Sequence, residues 1–231
     1  MALPLVLLPG MMCDERLFAP QIAAFSAERN VQVLPLTAHD TVGKLASEIL
    51  EQAPPIFALA GLSMGGIVAM EVVRQMTHRV AKLALLDTNP LAEKPEVSAN
   101  REPQIAKVRE GRLAQVMSEE MIPNYLSDGA DTGEISDLCL EMAEVLGPQV
   151  FERQSRALQS RPDQQATLRK LTVPTLILCG EHDKLCPLER HELMHQLIPQ
   201  STLTIIPAAG HLPTLEQAEL TTRALQQWLN T

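Results

Sequence analysis

A serine, an aspartate and a histidine each stand just beyond a short apolar run, where polar side chains could act together. Ser63 lies in GLSMGG at residues 61–66, after the apolar residues 56–60 and before an amphipathic run. A Gly-x-Ser-x-Gly run in this context predicts a tight strand-to-helix turn that projects the hydroxyl above a sheet. The pattern occurs by chance in roughly one chain in fifteen of this length, so its placement between a strand and a helix is what indicates a nucleophile.

A serine hydroxyl is a weak nucleophile that needs a base and an acid to orient that base. Among six histidines, His211 in AAGHLP follows the last apolar run, and Asp183 in GEHD follows the run before it. Both would stand at the carboxyl ends of strands, where the sites of open α/β sheets gather. The chain order Ser63, Asp183, His211 fits that arrangement. Asp87 follows another apolar run and is the main rival for the acid, and Glu181 is a lesser one.

Six apolar runs alternate with amphipathic runs, which predicts a mainly parallel sheet of about six strands covered by helices on both faces. Thr41 is the expected N-cap of the second helix. The predicted strands are residues 3–8, 31–34, 56–62, 80–86, 175–179 and 202–206, and the predicted helices are 15–27, 42–52, 63–76, 188–197 and 214–229.

The segment between the fourth and fifth predicted strands contains no strand-like run and is too long for a simple connection. We therefore predict a core formed by residues 1–90 and 171–231, with residues 91–170 inserted as a helical cap over the carboxyl edge of the sheet. Helix breaks are expected at prolines and glycines that include Pro103, Pro123 and Gly129. The inner surface of the cap is expected to be apolar and mostly packed, from Met117, Met121, Leu138, Leu140, Met142, Val145 and Leu146.

The bulk composition disfavours several classes of partner. A net charge of −9 argues against nucleic acid and anionic membranes, and no segment approaches the roughly 18 apolar residues of a membrane span. The run at residues 3–8 lacks a basic leader and a small-x-small cleavage site, so we interpret it as a core strand and not an export signal. Four scattered cysteines indicate reduced thiols and a cytoplasmic location. One Trp, one Tyr and four Phe predict a pocket lined mostly by aliphatic residues and methionine.

Three further features have a chemical and a structural interpretation. The run HELMH at residues 191–195 matches the zinc motif HExxH, with Glu216 or Glu219 as a conceivable third ligand. We favour a coincidental match on a surface helix that packs on the sheet, and therefore expect no metal. Cys13 is interpreted as a packed thiol. The arginines at 153, 156 and 161 form a local basic run that is better explained as a solvated face than as a binding patch.

Taken together, these motifs resemble the α/β-hydrolase superfamily, and within it the small, helix-capped, esterase-like members. The similarity covers nearly the whole chain outside the cap. It is carried by LLPG at 7–10, GLSMGG at 61–66, GEHD at 180–183 with Pro187, and Gly210-His211 followed by Glu216.

The resemblance implies that Ser63 is the nucleophile, His211 the base and Asp183 the orienting acid. It also implies an oxyanion hole made by the backbone N–H groups of Met11 and Met64. The chain departs from the family pattern in two ways. It starts directly on the strand that leads to the oxyanion loop, without the usual N-terminal hairpin, and Pro9 replaces the histidine that commonly precedes Gly10.

The sequence therefore predicts a cofactor-independent serine hydrolase that acts through an acyl-enzyme on a small or aliphatic carboxylic ester, thioester or lactone. Two alternatives remain open. The same fold could cleave a C–C bond or start an elimination, or the chain could be a non-enzymatic member that binds a small ligand. The expected partner is a small acyl substrate, and the sequence does not indicate the oligomeric state.

Overall fold

The computed structural model describes residues 2–128 and 133–231 of the chain. Six strands form one sheet in the order β2-β1-β3-β4-β5-β6, and each neighbouring pair is parallel. The predicted six-stranded α/β sheet is confirmed, and the sheet of the described residues contains no antiparallel strand. The strands are β1 (Leu5–Leu8), β2 (Val31–Val33), β3 (Phe57–Leu62), β4 (Val80–Leu86), β5 (Thr175–Gly180) and β6 (Thr202–Ile206).

The apolar runs form strands because helices cover both faces of the sheet, so side chains that point to either face need to be apolar. All four residues of β1 are fully buried, and Leu5 pairs with Val31 on one side and with Ala58 on the other. The first apolar run is therefore a central strand of the core. The sequence pattern changes at the sheet edge, where β6 leaves Thr202 and Ile205 exposed.

Eleven α-helices of the described residues surround the sheet. The second begins where predicted, because the Thr41 hydroxyl accepts a hydrogen bond from the Lys44 N–H at 3.4 Å. The helices are α1 (Ala19–Phe25), α2 (Val42–Gln52), α3 (Met64–Met76), α4 (Pro95–Arg109), α5 (Leu113–Val116), α6 (Gly133–Leu146), α7 (Pro148–Gln159), α8 (Gln165–Leu168), α9 (Leu188–Leu197), α10 (Pro213–Glu216) and α11 (Ala218–Asn230).

Two of the predicted helices are divided. The first starts as a 3-10 turn, Glu15–Phe18, before α1. The last is broken between α10 and α11 at Gln217, which has an extended backbone with φ −133°. Its side-chain amide donates to the Ala208 carbonyl at 3.3 Å. This break fixes Glu216 beside the loop that carries His211.

The helices contact one another in two groups. Helix α1 packs against α11, whereas α2 packs against α3, α3 against α8, and α8 against α9. Helices α4 to α8 lie between β4 and β5 in the chain, and α4 contacts α5 and α7. Side chains of this insert bond to the core, since Gln154 accepts from the Met12 N–H at 2.8 Å and donates to the Leu36 carbonyl at 2.9 Å.

The insert corrects two sequence-based expectations. No break occurs at Pro103, which lies inside α4. The helix continues through the hydrogen bond that a proline removes, because Ile105 and Val108 beyond it are buried. Val145 was expected on the inner surface but is 74% exposed. The break expected at Gly129 lies outside the described residues.

Helices in the described parts of the chain are too short and too polar to cross a bilayer. The four cysteines are free thiols, and three of them are buried. This agrees with the prediction of reduced cysteines.

Candidate active site

Within residues 2–128 and 133–231, four non-glycine residues adopt positive φ, and all four lie beyond the carboxyl ends of strands. They are Met12 after β1, Ser63 after β3, Asp87 after β4 and Ala208 after β6, with φ between 44° and 56°. This left-handed region is costly for residues with a Cβ, and such strain tends to cluster at functional sites. The strained positions identify the carboxyl edge of the sheet as the candidate site.

Ser63 occupies the predicted strand-to-helix turn, with φ 54° and ψ −113°. Its N–H donates to the Leu86 carbonyl at 2.9 Å, and its carbonyl accepts from the Thr88 hydroxyl at 2.7 Å. The flanking residues need to be glycine, because a Cβ at either position would collide with nearby backbone atoms. A Cβ on Gly65 would lie 2.0 Å from the Leu8 carbonyl oxygen, and one on Gly61 would lie 2.3 Å from the carbonyl oxygen of Gly65.

Replacing Gly65 with alanine is expected to prevent normal folding or to lower the free energy of unfolding by several kcal/mol. The added methyl group would meet the backbone of β1, which has no room to move because it is a central strand. Gly43→Ala in α2 is the matched control, because its Cβ would meet only the tip of the Glu71 side chain at 3.8 Å. Thermal denaturation and soluble yield of both variants measure the difference. Equal melting temperatures would contradict this account of the turn.

Asp183 and His211 form a buried pair. Both carboxylate oxygens of Asp183 lie 2.9 Å from His211 Nδ1. Oδ1 also accepts from the N–H groups of Leu185 at 2.8 Å and Cys186 at 3.0 Å. Burial alone would raise the pKa of Asp183, but the charge and hydrogen bond of His211 and the two backbone donors outweigh it and lower the pKa. The carboxylate is therefore ionised and holds the Nδ1 proton of His211, which leaves Nε2 as a base.

The loop that carries His211 is held by the insert and by Glu216. The His211 N–H donates to the Tyr125 carbonyl at 2.7 Å. The Glu216 carboxylate accepts from the N–H groups of Gly210 at 2.9 Å and Leu212 at 3.1 Å, on either side of the histidine, and from Ser127 at 2.8 Å. Sequence reasoning considered Glu216 as a possible zinc ligand and did not identify this positioning role. The available signal was a glutamate five residues after the histidine, and in the structure this residue ends α10.

The assignment of Asp87 as the orienting acid would require a hydrogen bond between its carboxylate and His211 Nδ1, but that nitrogen bonds to Asp183. The Oδ1 of Asp87 accepts from the Gly180 N–H at 2.8 Å, and its Oδ2 is buried without a hydrogen-bond partner among the described residues. Burial, and next the charge of Asp183, raise the pKa of Asp87 well above its ordinary value. Asp87 is thus the protonated member of the carboxyl pair. Glu181, the lesser rival, is exposed and accepts from the Ala208 N–H at 3.2 Å.

The turn after β1 lies against the serine. A Cβ on Gly10 would be 3.7 Å from Ser63 Cβ, and Gly10, Met11 and Ser63 line one cavity. The next N–H in the turn, that of Met12, is already bonded to Gln154. Met64 is the first residue of α3, so its N–H has no acceptor inside the helix. The carbonyl oxygen of Pro9 faces Gly65, since a Cβ on that glycine would lie 2.8 Å from it.

His191 and His195 do not present their ring nitrogens to a common ligand. His191 is fully buried, which corrects the expectation that the motif lies on a surface helix. Its Nε2 accepts from the Thr88 N–H at 3.2 Å, so Nδ1 carries the proton, 3.4 Å from the Pro187 carbonyl oxygen. His195 Nδ1 instead bonds to the Ser201 hydroxyl at 2.8 Å. Because both nitrogens of His191 are engaged, its role is to fix the turn that follows Asp87.

The structure also brings potential metal ligands of Asp183, Cys186 and His211 within 4.8 Å of one another. These groups are already engaged, because Asp183 bonds to His211 Nδ1 and to two backbone N–H groups. Burial raises the pKa of the Cys186 thiol well above its ordinary value, and the charges of Asp183 and Asp87 raise it further. Burial likewise raises the pKa of the Cys13 thiol, which agrees with its interpretation as a packed side chain. Neither thiol is poised to ionise.

Replacing His191 with glutamine is expected to leave activity at neutral pH within about threefold of wild type, because the Gln oxygen can accept the Thr88 N–H. Burial lowers the pKa of His191 from 6.5 to about 4. Because the pKa of His191 is depressed, the contribution of this residue to the free energy of unfolding is complete above pH 6.5. That contribution is lost as the pH falls towards 4. We therefore expect the wild type to lose up to about 3 kcal/mol of unfolding free energy over that window from this residue, and the variant to lack this component.

The measurements are activity with and without a chelator, and denaturant unfolding at pH 4 to 7. His195→Gln is the matched control, since a zinc pair needs both histidines equally. Loss of activity in both variants, together with inhibition by the chelator, would restore the zinc interpretation.

A cavity of about 410 Å³ joins Ser63 and His211 to the insert. Of the seven residues expected on the inner cap surface, Met121 lines it. The surface of the lining is mainly apolar, as composition predicted, but it also includes the charged residues Glu93, Lys94, Arg101, Glu120, Arg161 and Arg190. The three arginines that were expected to form one solvated face lie in three different environments. Arg153 donates to the Thr37 carbonyl at 2.7 Å, Arg156 pairs with Glu102, and Arg161 turns into the cavity.

The family model described as the alpha/beta hydrolase family matches residues 5–224. The chain belongs to the alpha/beta hydrolase family. A solved structure similar to it is a thermophilic esterase from Thermogutta terrifontis with malate bound. The TM-score is 0.89 and the identity 30%, over 100% of this chain and 90% of that chain. The predicted superfamily and its esterase-like character are confirmed.

Relatives with established names point to the same group. A putative 2-succinyl-6-hydroxy-2,4-cyclohexadiene-1-carboxylate synthase of Bacillus subtilis is 27% identical, over 74% of this chain and 65% of its own length. The chain thus spans just under two thirds of that relative. A pimeloyl-acyl-carrier-protein methyl ester esterase of Legionella pneumophila strain Paris is 24% identical over 94% of this chain and 91% of its own length.

Proposed function

We propose that this alpha/beta hydrolase is a serine hydrolase of carboxylic esters, thioesters or lactones. The Asp183–His211 pair carries the proposal, because its histidine lines one cavity with a serine on a strained strand-to-helix turn. The names of the relatives support ester hydrolysis in this family group. The helical insert at 91–170 would act as the cap, since several of its residues line the cavity that contains Ser63.

In this mechanism His211 Nε2 takes the hydroxyl proton of Ser63 as the serine oxygen attacks the acyl carbon. The Asp183 carboxylate stabilises the imidazolium that forms. The N–H groups of Met11 and Met64 donate to the tetrahedral oxyanion, and each such donor is worth roughly 3 kcal/mol of barrier lowering. His211 then protonates the departing alcohol or thiol, which leaves the acyl group on Ser63. Water, deprotonated by His211, attacks the acyl-enzyme and releases the acid.

The Bacillus subtilis relative is named as a synthase and not as a hydrolase, which favours a second candidate outside hydrolysis. In that reaction His211 or the Ser63 alkoxide would start an elimination by removing a proton next to a carbonyl. The same three side chains would carry it, but no covalent acyl-enzyme would form. The two reactions are therefore distinguished by whether a protein whose serine is labelled also turns over acyl substrates.

The test is labelling with a fluorophosphonate probe, with Ser63→Ala as control, followed by a screen of esters, thioesters and lactones. We expect stoichiometric labelling of wild type at Ser63 and turnover of at least one ester class. Labelling without turnover of any acyl substrate would favour the elimination chemistry. Absence of labelling in a folded protein would refute acylation of Ser63.

A further inference from the structure

The cavity that contains Ser63 has a strongly cationic corner. Four cationic and two acidic side chains line it, although the chain as a whole has a net charge of −9. One of the acids, Glu120, is paired with Lys107, at 2.6 Å, and Lys107 is not part of the lining. That leaves Glu93 as the carboxylate that faces Lys94, Arg101, Arg161 and Arg190.

Glu93 is shared between two buried guanidinium groups. Its oxygens lie 3.1 Å and 3.2 Å from Nε and Nη2 of Arg101, and Oε1 lies 3.3 Å from Nη1 of Arg161. The side chains are 1%, 13% and 11% exposed for Glu93, Arg101 and Arg161. The cluster therefore carries one net positive charge away from bulk water. Among the described residues no acidic partner lies within 4.0 Å of Arg190.

A buried, uncompensated cation is costly, and arginine cannot lose its proton to escape that cost. Burial lowers the pKa of Arg161 from its ordinary value against the opposing charge of Glu93, and the nearby positive charges of Arg101 and Arg190 lower it further. An anionic ligand in this corner would relieve the repulsion. Planar guanidinium groups suit a carboxylate in particular, because two N–H donors match its two oxygens.

The cationic corner shares one cavity with Ser63 and His211. Arg101 Nη1 is 3.9 Å from Sδ of Met11, whose backbone N–H is the proposed oxyanion donor. Arg161 is anchored by a bond of 3.0 Å from its Nε to the Leu91 carbonyl, which directs the rest of its guanidinium into the cavity. The lining of the same cavity also includes the apolar residues Leu62, Ile67 and Leu158. An anionic group and a reactive carbonyl separated by a few carbon atoms would fit this layout.

We propose that Arg101 and Arg161, held in place by Glu93, form a carboxylate-binding subsite, so that the preferred substrate is an ester that carries a second, ionised carboxylate. This inference rests on the proposed ester hydrolysis and specifies its substrate class. The carboxylate could belong to the acyl group or to the leaving alcohol, and the two cases share the same recognition chemistry.

The kinetic test compares each anionic ester with the analogue whose carboxylate is a primary amide. Monomethyl glutarate places the charge in the acyl group, and 3-acetoxypropanoate places it in the alcohol. We expect kcat/KM of wild type to favour at least one anionic ester over its amide by about tenfold or more. Whichever pair shows the preference identifies the side of the ester that carries the charge. No preference in either pair would overturn the subsite.

Variants of the subsite are judged by the ratio of kcat/KM for the anionic ester to that for its amide. Arg101→Met is expected to lower the ratio by about 10- to 100-fold. Arg101→Lys keeps the charge beside Glu93 but loses the planar fork, so it should fold and lower the ratio by a smaller factor. Arg109→Met is the matched control, because Arg109 lies on the same helix and pairs with Glu152 outside the cavity. A ratio that both Arg101 variants leave unchanged would overturn the subsite.

Binding separates failure of the subsite from failure of the proposed hydrolysis. Calorimetric titration of Ser63→Ala with glutarate needs no turnover. We expect binding that weakens in Ser63→Ala/Arg101→Lys and with added salt. If esters are turned over but glutarate does not bind and the anionic esters are not preferred, the subsite is wrong and the hydrolase proposal stands. If glutarate binds in an Arg101-dependent manner while no ester is turned over, the subsite stands and the hydrolase proposal fails.

Discussion

Ser63→Ala is expected to lower kcat/KM for any hydrolysed ester by a factor on the order of 10⁴ or more, a loss of about 5.5 kcal/mol of transition-state stabilisation. The oxyanion donors and the cavity would remain, so the residual rate should still exceed that of the reaction in water. Active-site titration with the fluorophosphonate probe and steady-state kinetics measure the effect. Retention of more than a tenth of the activity would refute nucleophilic catalysis by Ser63.

The fold should tolerate this change, because alanine keeps the Cβ and therefore the backbone strain at φ 54°. Ser63→Gly removes that strain. We expect its free energy of unfolding to be no lower than that of Ser63→Ala and up to roughly 1 kcal/mol higher. Ser47→Ala is the control for serine replacement, because its hydroxyl bonds to the Gly43 carbonyl on the exposed side of α2. A Ser63→Gly variant much less stable than Ser63→Ala would mean that the turn is not strained.

Asp183→Asn is expected to lower kcat/KM by a factor on the order of 10⁴. An amide nitrogen facing His211 would favour the tautomer with the proton on Nε2, where the base is needed, and the charge that stabilises imidazolium would be lost. Asp87→Asn is the matched control, because it makes the same chemical change on the neighbouring carboxyl. Asparagine can still accept from Gly180, so activity should stay within about tenfold. The reverse ranking of the two variants would assign the acid to Asp87.

The two variants should also differ in stability. The pKa of Asp87 is raised in the folded state by burial and by the charge of Asp183, so its protonated form is favoured by folding. That contribution is complete below the unfolded value near 3.8 and is lost as the pH rises through the folded value. An asparagine side chain cannot ionise, so Asp87→Asn should melt at a temperature no lower than wild type at pH 8. The pKa of Asp183 is lowered instead, so Asp183→Asn should be less stable than wild type at neutral pH.

Much of the fold could be read from local patterns because those patterns have local causes. The buried runs of β1, β3, β4 and β5 needed only apolar composition and length, and the start of α2 needed only a threonine that can cap its own helix. The serine turn could be predicted because its two glycines are needed wherever a strand turns this sharply into a helix. A Cβ at either position would collide with nearby backbone atoms.

Residues whose roles depend on distant partners could not be assigned in this way. Nothing near His191 in the sequence indicates that it accepts from Thr88, 103 positions away. Glu93 and Arg161 are likewise 68 positions apart, so a run of arginines suggested a solvated face and gave no sign of a buried ion pair. Val145 could not be placed because the inward side of a helix is fixed by the helices that pack against it.

By itself the sequence determined the parallel α/β sheet, the positions of its strands, and Ser63, Asp183 and His211 as the residues to consider together. Only the tertiary structure decided that Asp183 faces His211, while Asp87 accepts from Gly180 and has its pKa raised by burial and by the charge of Asp183. It also placed the charged lining of the cavity. The physical reason is that strand and turn formation depend on neighbouring residues, whereas the partner and the charge state of a buried group depend on segments brought together from far apart in the chain.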